Sequence, residues 1–185
     1  DITIQHLLQH RGGWDRGKSF DAMFRPVDFA EAVGVKPPAG PHEVTRVMLG
    51  LPLDFDPGKQ YAYSNYGYCL LGRVIEKLAG KPYDKYVKEH VLAPIGVTTM
   101  SIGKTHLEGR QKNEVRYYSA FAGESVFAKD LRQRVPHPYG AWHLEAMDSH
   151  GAWIASAVDL ARFATAFDDP EKCRILKPDS VRAFT

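Results

Sequence analysis

The stretch that most restricts how this chain can fold runs from Pro57 to Pro94, PGKQYAYSNYGYCLLGRVIEKLAGKPYDKYVKEHVLAP. Leu70, Leu71, Val74, Ile75, Leu78 and Ala79 recur at the spacing of one apolar helical face, with Arg73, Glu76 and Lys77 opposite. Gly80 is the expected stop just past the last turn. Pro82 opens a second helix at once, with Tyr83, Tyr86, Val87 and Val91 inward. Asp84–Lys88 and Lys85–Glu89 are spaced to pair on its outside, and Pro94 ends it. Arg73, Lys77, Lys85 and Lys88 read as a solvated helix face. Two amphipathic helices in succession demand a mainly helical domain.

The rest of the chain agrees. Thr3 is placed to cap a short helix carrying Ile4, Leu7 and Leu8, which Gly12-Gly13 break. Pro26 opens a helix with Phe29, Ala30 and Val33 on one face, closing at Gly34; Pro41 opens another with Val44, Val47 and Met48 inward, closing at Gly50. Met100-Ser101-Ile102 and Val115–Ser119 alternate like short strands. Residues 129–150 read as a long irregular connection. Ser156-Ala157-Val158-Asp159 forms a capping box ahead of Leu160, Phe163, Ala164 and Phe167, and Pro178 starts a last helix. The expected fold is mainly α with a few short strands.

Composition excludes several classes of function. The formal net charge is +2, with no dense block of Lys or Arg, so neither a nucleic-acid nor a membrane patch is indicated. No apolar run approaches the roughly 18 residues of a membrane span. The two cysteines make no disulfide framework, and Cys69, inside an apolar helical stretch, reads as a small core residue. Asp1-Ile2-Thr3-Ile4 enters a helix directly and Phe184-Thr185 stops inside another. The expectation is that residues 1–185 are a single segment of a longer protein, truncated at both ends.

The chemistry lies in Tyr63-Ser64-Asn65. Residues i and i+2 of an extended segment point the same way, so a phenol and a carboxamide can face one cleft. A phenol carries protons when nearby cations lower its pKa from about 10, and a carboxamide both donates to and accepts from a substrate amide. The packing reading makes Asn65 only the N-cap of the following helix and Tyr63 a packed aromatic. By chance, nine Tyr and two Asn in 185 residues give about 0.1 occurrences of Tyr-x-Asn.

Further matching pieces surround the tripeptide. They are Ile4–Gly13, Pro57-Gly58, Tyr61–Tyr68, Leu71-Gly72, Ile75-Glu76, Gly80-Lys81-Pro82-Tyr83, Leu92–Val97, and Gly151 with Ser156–Phe163. With them the chain resembles the serine β-lactamase and penicillin-binding-protein superfamily, in its class C β-lactamase, DD-peptidase and esterase branch. The resemblance spans most of the chain and implies the helical portion of a serine β-lactamase/DD-peptidase-like fold. It also implies a site of three motifs: Ser-x-x-Lys, Tyr-x-Asn, and Lys-Thr-Gly or His-x-Gly. In that family the serine attacks a carbonyl to form an acyl-enzyme, the lysine and tyrosine manage its proton, and the asparagine helps hold the substrate amide. Tyr63 and Asn65 match the second motif. They are the candidate catalytic residues, with Asn65 also substrate-binding.

The other two motifs are expected before Asp1 and after Thr185. Ser101-Ile102-Gly103-Lys104 spells Ser-x-x-Lys, but it follows Tyr-x-Asn and its alternation and glycine argue against the helix that would bring Ser and Lys together. Lys104-Thr105-His106 is not Lys-Thr-Gly, and His10-Arg11-Gly12 has the His-x-Gly pattern at the wrong end. His137, His143 and His150, near Glu145 and Asp148, fit no tight zinc spacing and read as polar loop groups. Trp142 and Trp153 read as core or rim packing.

The parent protein is therefore expected to be a serine hydrolase acting on an ester or amide carbonyl: an esterase, DD-peptidase or β-lactamase. No cofactor and no metal are implied. The expected partners are a small-molecule or peptide substrate and the remainder of the parent chain, and the isolated segment is expected to be inactive. Rival readings are a non-catalytic peptide- or peptidoglycan-binding module and a structural protein on the same scaffold. The resemblance favours an extracytoplasmic location.

Overall fold

In a computed structural model, residues 1–184 are described and gather into two compact units. The first comprises Asp1–Ile75 and Gly103–Ala152; the second comprises Glu76–Ile102 and the chain from Trp153 onward.

The first unit opens with α1 (Ile4–Leu8), capped by Thr3 in a box with His6. Helices α2 (Pro26–Val33) and α3 (Pro41–Met48) each begin on their proline. Gly34 closes α2 in the left-handed conformation, at φ 72°, which glycine adopts without steric cost. Helix α4 (Asn65–Ala79) starts in this unit and ends in the other. The core of the first unit gathers Leu7, Trp14, Met23, Phe29, Val44, Met48, Tyr66 and Cys69. Trp14 meets Tyr66 edge to face, with centroids 4.7 Å apart. Cys69 is fully buried, as its apolar setting in the sequence indicates.

The buried face of α4 differs from the sequence expectation. Tyr66, Gly67, Cys69 and Gly72 are buried, whereas Leu70 and Leu71 are half-buried and Leu78 is 83% exposed. Small residues let the helix approach its neighbours closely: a Cβ on Gly72 would lie 2.4 Å from Ser149 Oγ. Arg73 is not on a solvated face. Its guanidinium donates to Asp148 Oδ2 at 2.5 Å, and the two side chains are 9% and 14% exposed. Hydrophobic periodicity ranks a face by its aliphatic residues. Here a paired arginine and small residues take the inside instead.

In the same unit, β2 (Ala122–Glu124) pairs antiparallel with β3 (Arg134–Pro136), Gly123 opposite Val135. The strand expected at Val115–Ser119 is instead irregular, with Val115 and Tyr118 exposed. The connection 129–150 holds β3 and a 3₁₀ turn over Leu144–Met147.

In the second unit α5 (Tyr83–Val87) runs into a π-helical turn over Lys88–Leu92 and a 3₁₀ turn over Ala93–Ile95. Lys88 pairs with Asp84 as expected, at 3.1 Å. Glu89 pairs with Lys81, at 2.7 Å, and not with Lys85, because the π turn shifts it out of α-helical register. Strand β1 (Ser101–Ile102) pairs antiparallel with β4 (Trp153–Ile154). The Ser156–Asp159 capping box starts α6 (Ala157–Thr165), and Asp159 also accepts from Thr99. Helix α7 (Pro178–Phe184) follows.

Candidate functional site

Tyr63-Ser64-Asn65 sits where an extended segment turns into α4. The approach is tied down by backbone hydrogen bonds: Asp54 N–H to Gly13 O (2.8 Å), Gly58 N–H to Arg11 O (2.8 Å) and Ala62 N–H to His10 O (2.9 Å). Gly13 is needed there: its φ is 115°, and a Cβ would meet Phe55 O at 2.9 Å.

The three residues divide their tasks. Ser64, 8% exposed, caps the helix, its Oγ accepting from Gly67 N–H at 3.1 Å. The cap is therefore not Asn65. Asn65 takes the first helical position, which leaves its carboxamide to a different partner: Nδ2 donates to Asp21 Oδ2 at 2.7 Å. Tyr63 is 42% exposed. Its ring stacks on His10 with centroids 4.6 Å apart, and the Arg16 guanidinium lies 4.8 Å from its centroid. Arg16 Nη1 is also 3.7 Å from Asp21 Oδ2, so one cation stands beside Tyr63 and beside the carboxylate that holds Asn65. Tyr66, by contrast, is 2% exposed, and burial pushes its phenol far above the usual value. Of these two tyrosines, only Tyr63 is open to solvent.

His10 supports the tripeptide from behind. Its Nδ1 accepts from Ser64 N–H at 3.2 Å, and its ring also contacts Tyr68 at 4.9 Å. Burial lowers its pKa below the usual imidazole value. A small recess lies beside Asn65, bordered by Trp14, Arg16, Asp21, Ser64, Asn65 and Tyr66; among the described residues that line it, Tyr63 is not one. A wider recess of about 330 Å³, in the second unit, is lined by Pro94, Ile95, Arg162, Lys172 and Arg174 and contains no motif residue.

Residues 1–183 match the family described as Beta-lactamase. The chain belongs to that family. A Bacillus subtilis N-acetylmuramyl-L-alanine amidase is 44% identical over 172 residues, covering 86% of this chain and 36% of that protein. A probable fimbrial assembly protein FimD, serogroup H1, of Dichelobacter nodosus is 36% identical over 171 residues, covering 89% of this chain and 36% of the relative. The D-stereospecific amidohydrolase structure from Streptomyces sp. shares the fold, with a TM-score of 0.67 at 22% identity over 100% of this chain and 51% of its own. The chain spans 36% of the length of the two curated relatives.

In this beta-lactamase-family chain, Ser101 lies in β1 and not on a helix with Lys104. Thr105 is fully buried and donates to Glu145 at 2.6 Å, a structural pairing. The three loop histidines have separate settings. His143 Nδ1 meets Ala39 O at 2.9 Å, His137 packs against Trp142, and both ring nitrogens of His150 are buried. No group of three metal-ligating side chains gathers among the described residues. No helix among them is long and apolar enough to cross a membrane. Sequence reading did not single out Arg16 or Asp21 for the site. They lie over 40 residues from Asn65 along the chain, and no periodicity links them to it.

Proposed function

We propose that this chain is the helical portion of a β-lactamase-like serine hydrolase and supplies the Tyr-x-Asn element of its acyl-transfer site. A serine oxygen, contributed by the remainder of the parent chain, attacks the carbonyl of an ester or amide. Its proton passes to the leaving group with Tyr63 as one carrier, and water then releases the acyl group. Asn65 holds the substrate amide. The observation that carries this reading is the contrast within the tripeptide: Ser64 is committed to the helix cap, while Tyr63 is exposed and Asn65 is held by a side chain. A packing role would bury the first and make the second a cap. The N-acetylmuramyl-L-alanine amidase relative makes an amide the leading substrate bond.

The test is to label the full-length protein with a fluorescent penicillin and a fluorophosphonate, and to map the modified serine. Labelling at a serine upstream of this segment, lost on denaturation, supports the enzyme. A protein that takes neither label yet binds peptide or peptidoglycan is a binding module. A covalent adduct on Ser101 would overturn the dismissal of that serine.

A further inference from the structure

His10, just past the end of α1, meets the motif through both its ring and its backbone. Its Nδ1 lies 3.2 Å from Ser64 N. A backbone N–H can only donate, so Nδ1 is the accepting nitrogen and the neutral ring carries its proton on Nε2. The Tyr63 ring stacks on the imidazole at 4.6 Å, Tyr68 of α4 lies at 4.9 Å, and Tyr61 meets it edge-on at 5.8 Å. His10 O accepts from Ala62 N–H at 2.9 Å. The backbone of His10 sits in the left-handed region, at φ 53°, which histidine and asparagine tolerate better than most residues. Residues 61–64 are thus laid against this one half-buried side chain.

A second proton would change that contact. With Nδ1 protonated, two donors face each other, and the Ser64 N–H loses its acceptor. The groups facing the imidazole are the three tyrosine rings and the Ser64 amide, and the Arg16 cation also lies against the Tyr63 ring. No carboxylate among the described residues pairs with His10 to balance an added charge, and burial also weighs against the charged form.

We propose that His10 is a positioning residue of the acyl-transfer site and its acid gate: the neutral ring fixes the turn that carries Tyr63 and Asn65, and protonation at Nδ1 releases it. The proposal rests on the acyl-transfer reading and adds a regulation to it, since turnover falls as the medium turns acidic by a route separate from the groups that move protons to and from the substrate.

Two measurements on the full-length protein test this. The first needs no turnover. The imidazole ¹⁵N signals of His10, assigned with His10→Asn, should show Nε2 protonated and Nδ1 bare at neutral pH. The Ser64 amide signal should move as His10 titrates, below about pH 6.5. A proton on Nδ1 at neutral pH, or a Ser64 amide indifferent to the titration, overturns the proposal. The second compares kcat/KM of variants on one ester substrate. His10→Gly adopts the left-handed backbone freely but offers no acceptor, and should lose roughly five- to tenfold at about pH 8, the worth of one hydrogen bond. His10→Asn suits the same backbone, and its Oδ1 is bonded to Cγ as Nδ1 was, so it should restore most of that loss. A carboxamide does not titrate. The ratio of His10→Asn to wild type should therefore rise as the pH falls from about 8 to about 5, and taking the ratio cancels the other titrating groups of the site. A flat ratio, or a His10→Asn no better than His10→Gly, overturns the proposal. If no acyl-enzyme forms, the acyl-transfer reading fails separately, and the NMR titration of the wild-type protein still decides whether His10 grips the turn.

Discussion

Removing Arg73 is expected to destabilise the protein severely. Its guanidinium is 9% exposed and meets Asp148, 14% exposed, at 2.5 Å. The second carboxylate oxygen, Oδ1, is buried and has no hydrogen-bond partner among the described residues. Arg73→Met keeps the length of the side chain and removes the charge, leaving a desolvated carboxylate with its main partner gone. Deleting one member of a buried pair costs about 3–5 kcal/mol. For a protein of this size, each kcal/mol shifts Tm by about 2–4 °C, so a fall of roughly 6–20 °C is expected. The double variant Arg73→Met/Asp148→Leu should recover most of that loss, because it removes both charges together. Thermal and urea melts of the four proteins at pH 7 give the coupling energy. A loss below about 0.5 kcal/mol for Arg73→Met, the range of an exposed substitution, would mean that Arg73 lies on a solvated face after all and would refute the argument.

Tyr63→Phe retains the ring stacked on His10 and under Arg16 but deletes the hydroxyl. In the full-length protein it should lower kcat for acylation by about 10²–10⁴-fold with Tm nearly unchanged; a change within about threefold, with lost stability, makes Tyr63 a packing residue. Gly72→Ala places a methyl group 2.4 Å from Ser149 Oγ, and should cost about 1–3 kcal/mol in a denaturation measurement unless Ser149 is also made smaller. Stability should fall with acidification below about pH 6.5. Burial lowers the pKa of both His150 and His10 in the folded state, so below the unfolded value of about 6.5 the unfolded chain binds more protons. The contribution is complete above that pH and is lost as the pH falls toward the folded values; His150→Gln should flatten the Tm-against-pH curve.

The helices were legible where punctuation was strong. Pro26, Pro41 and Pro82 start their elements, Gly34 and Gly80 stop theirs, and the Ser156 box opens α6. These are local signals, fixed by one residue's backbone freedom or hydrogen-bonding group. What the sequence did not reveal depends on partners far along the chain. The inward face of α4 follows from Asp148 and Ser149, more than 70 residues beyond Arg73 and Gly72, which accept a buried cation and a side-chain-free surface. The β2–β3 pair was missed because Ala122-Gly123-Glu124 has weak strand propensity, and β-structure there depends on its partner strand. At the site, the tripeptide stood out because its polar side chains are close in sequence. Asp21, which accepts from Asn65, shares no pattern with it.

The middle letter of the motif carries a consequence for how this site can vary. The Ser64 hydroxyl caps the start of α4 and its N–H rests on His10. The tolerated alphabet of position 64 should be the short capping residues, Ser, Thr, Asp and Asn, with glycine a weaker fit. An alanine there leaves both candidate side chains in the chain but removes the cap beside them. Libraries built to retune this pocket should therefore hold residue 64 constant and diversify around Arg16 and Asp21, which take no part in that cap.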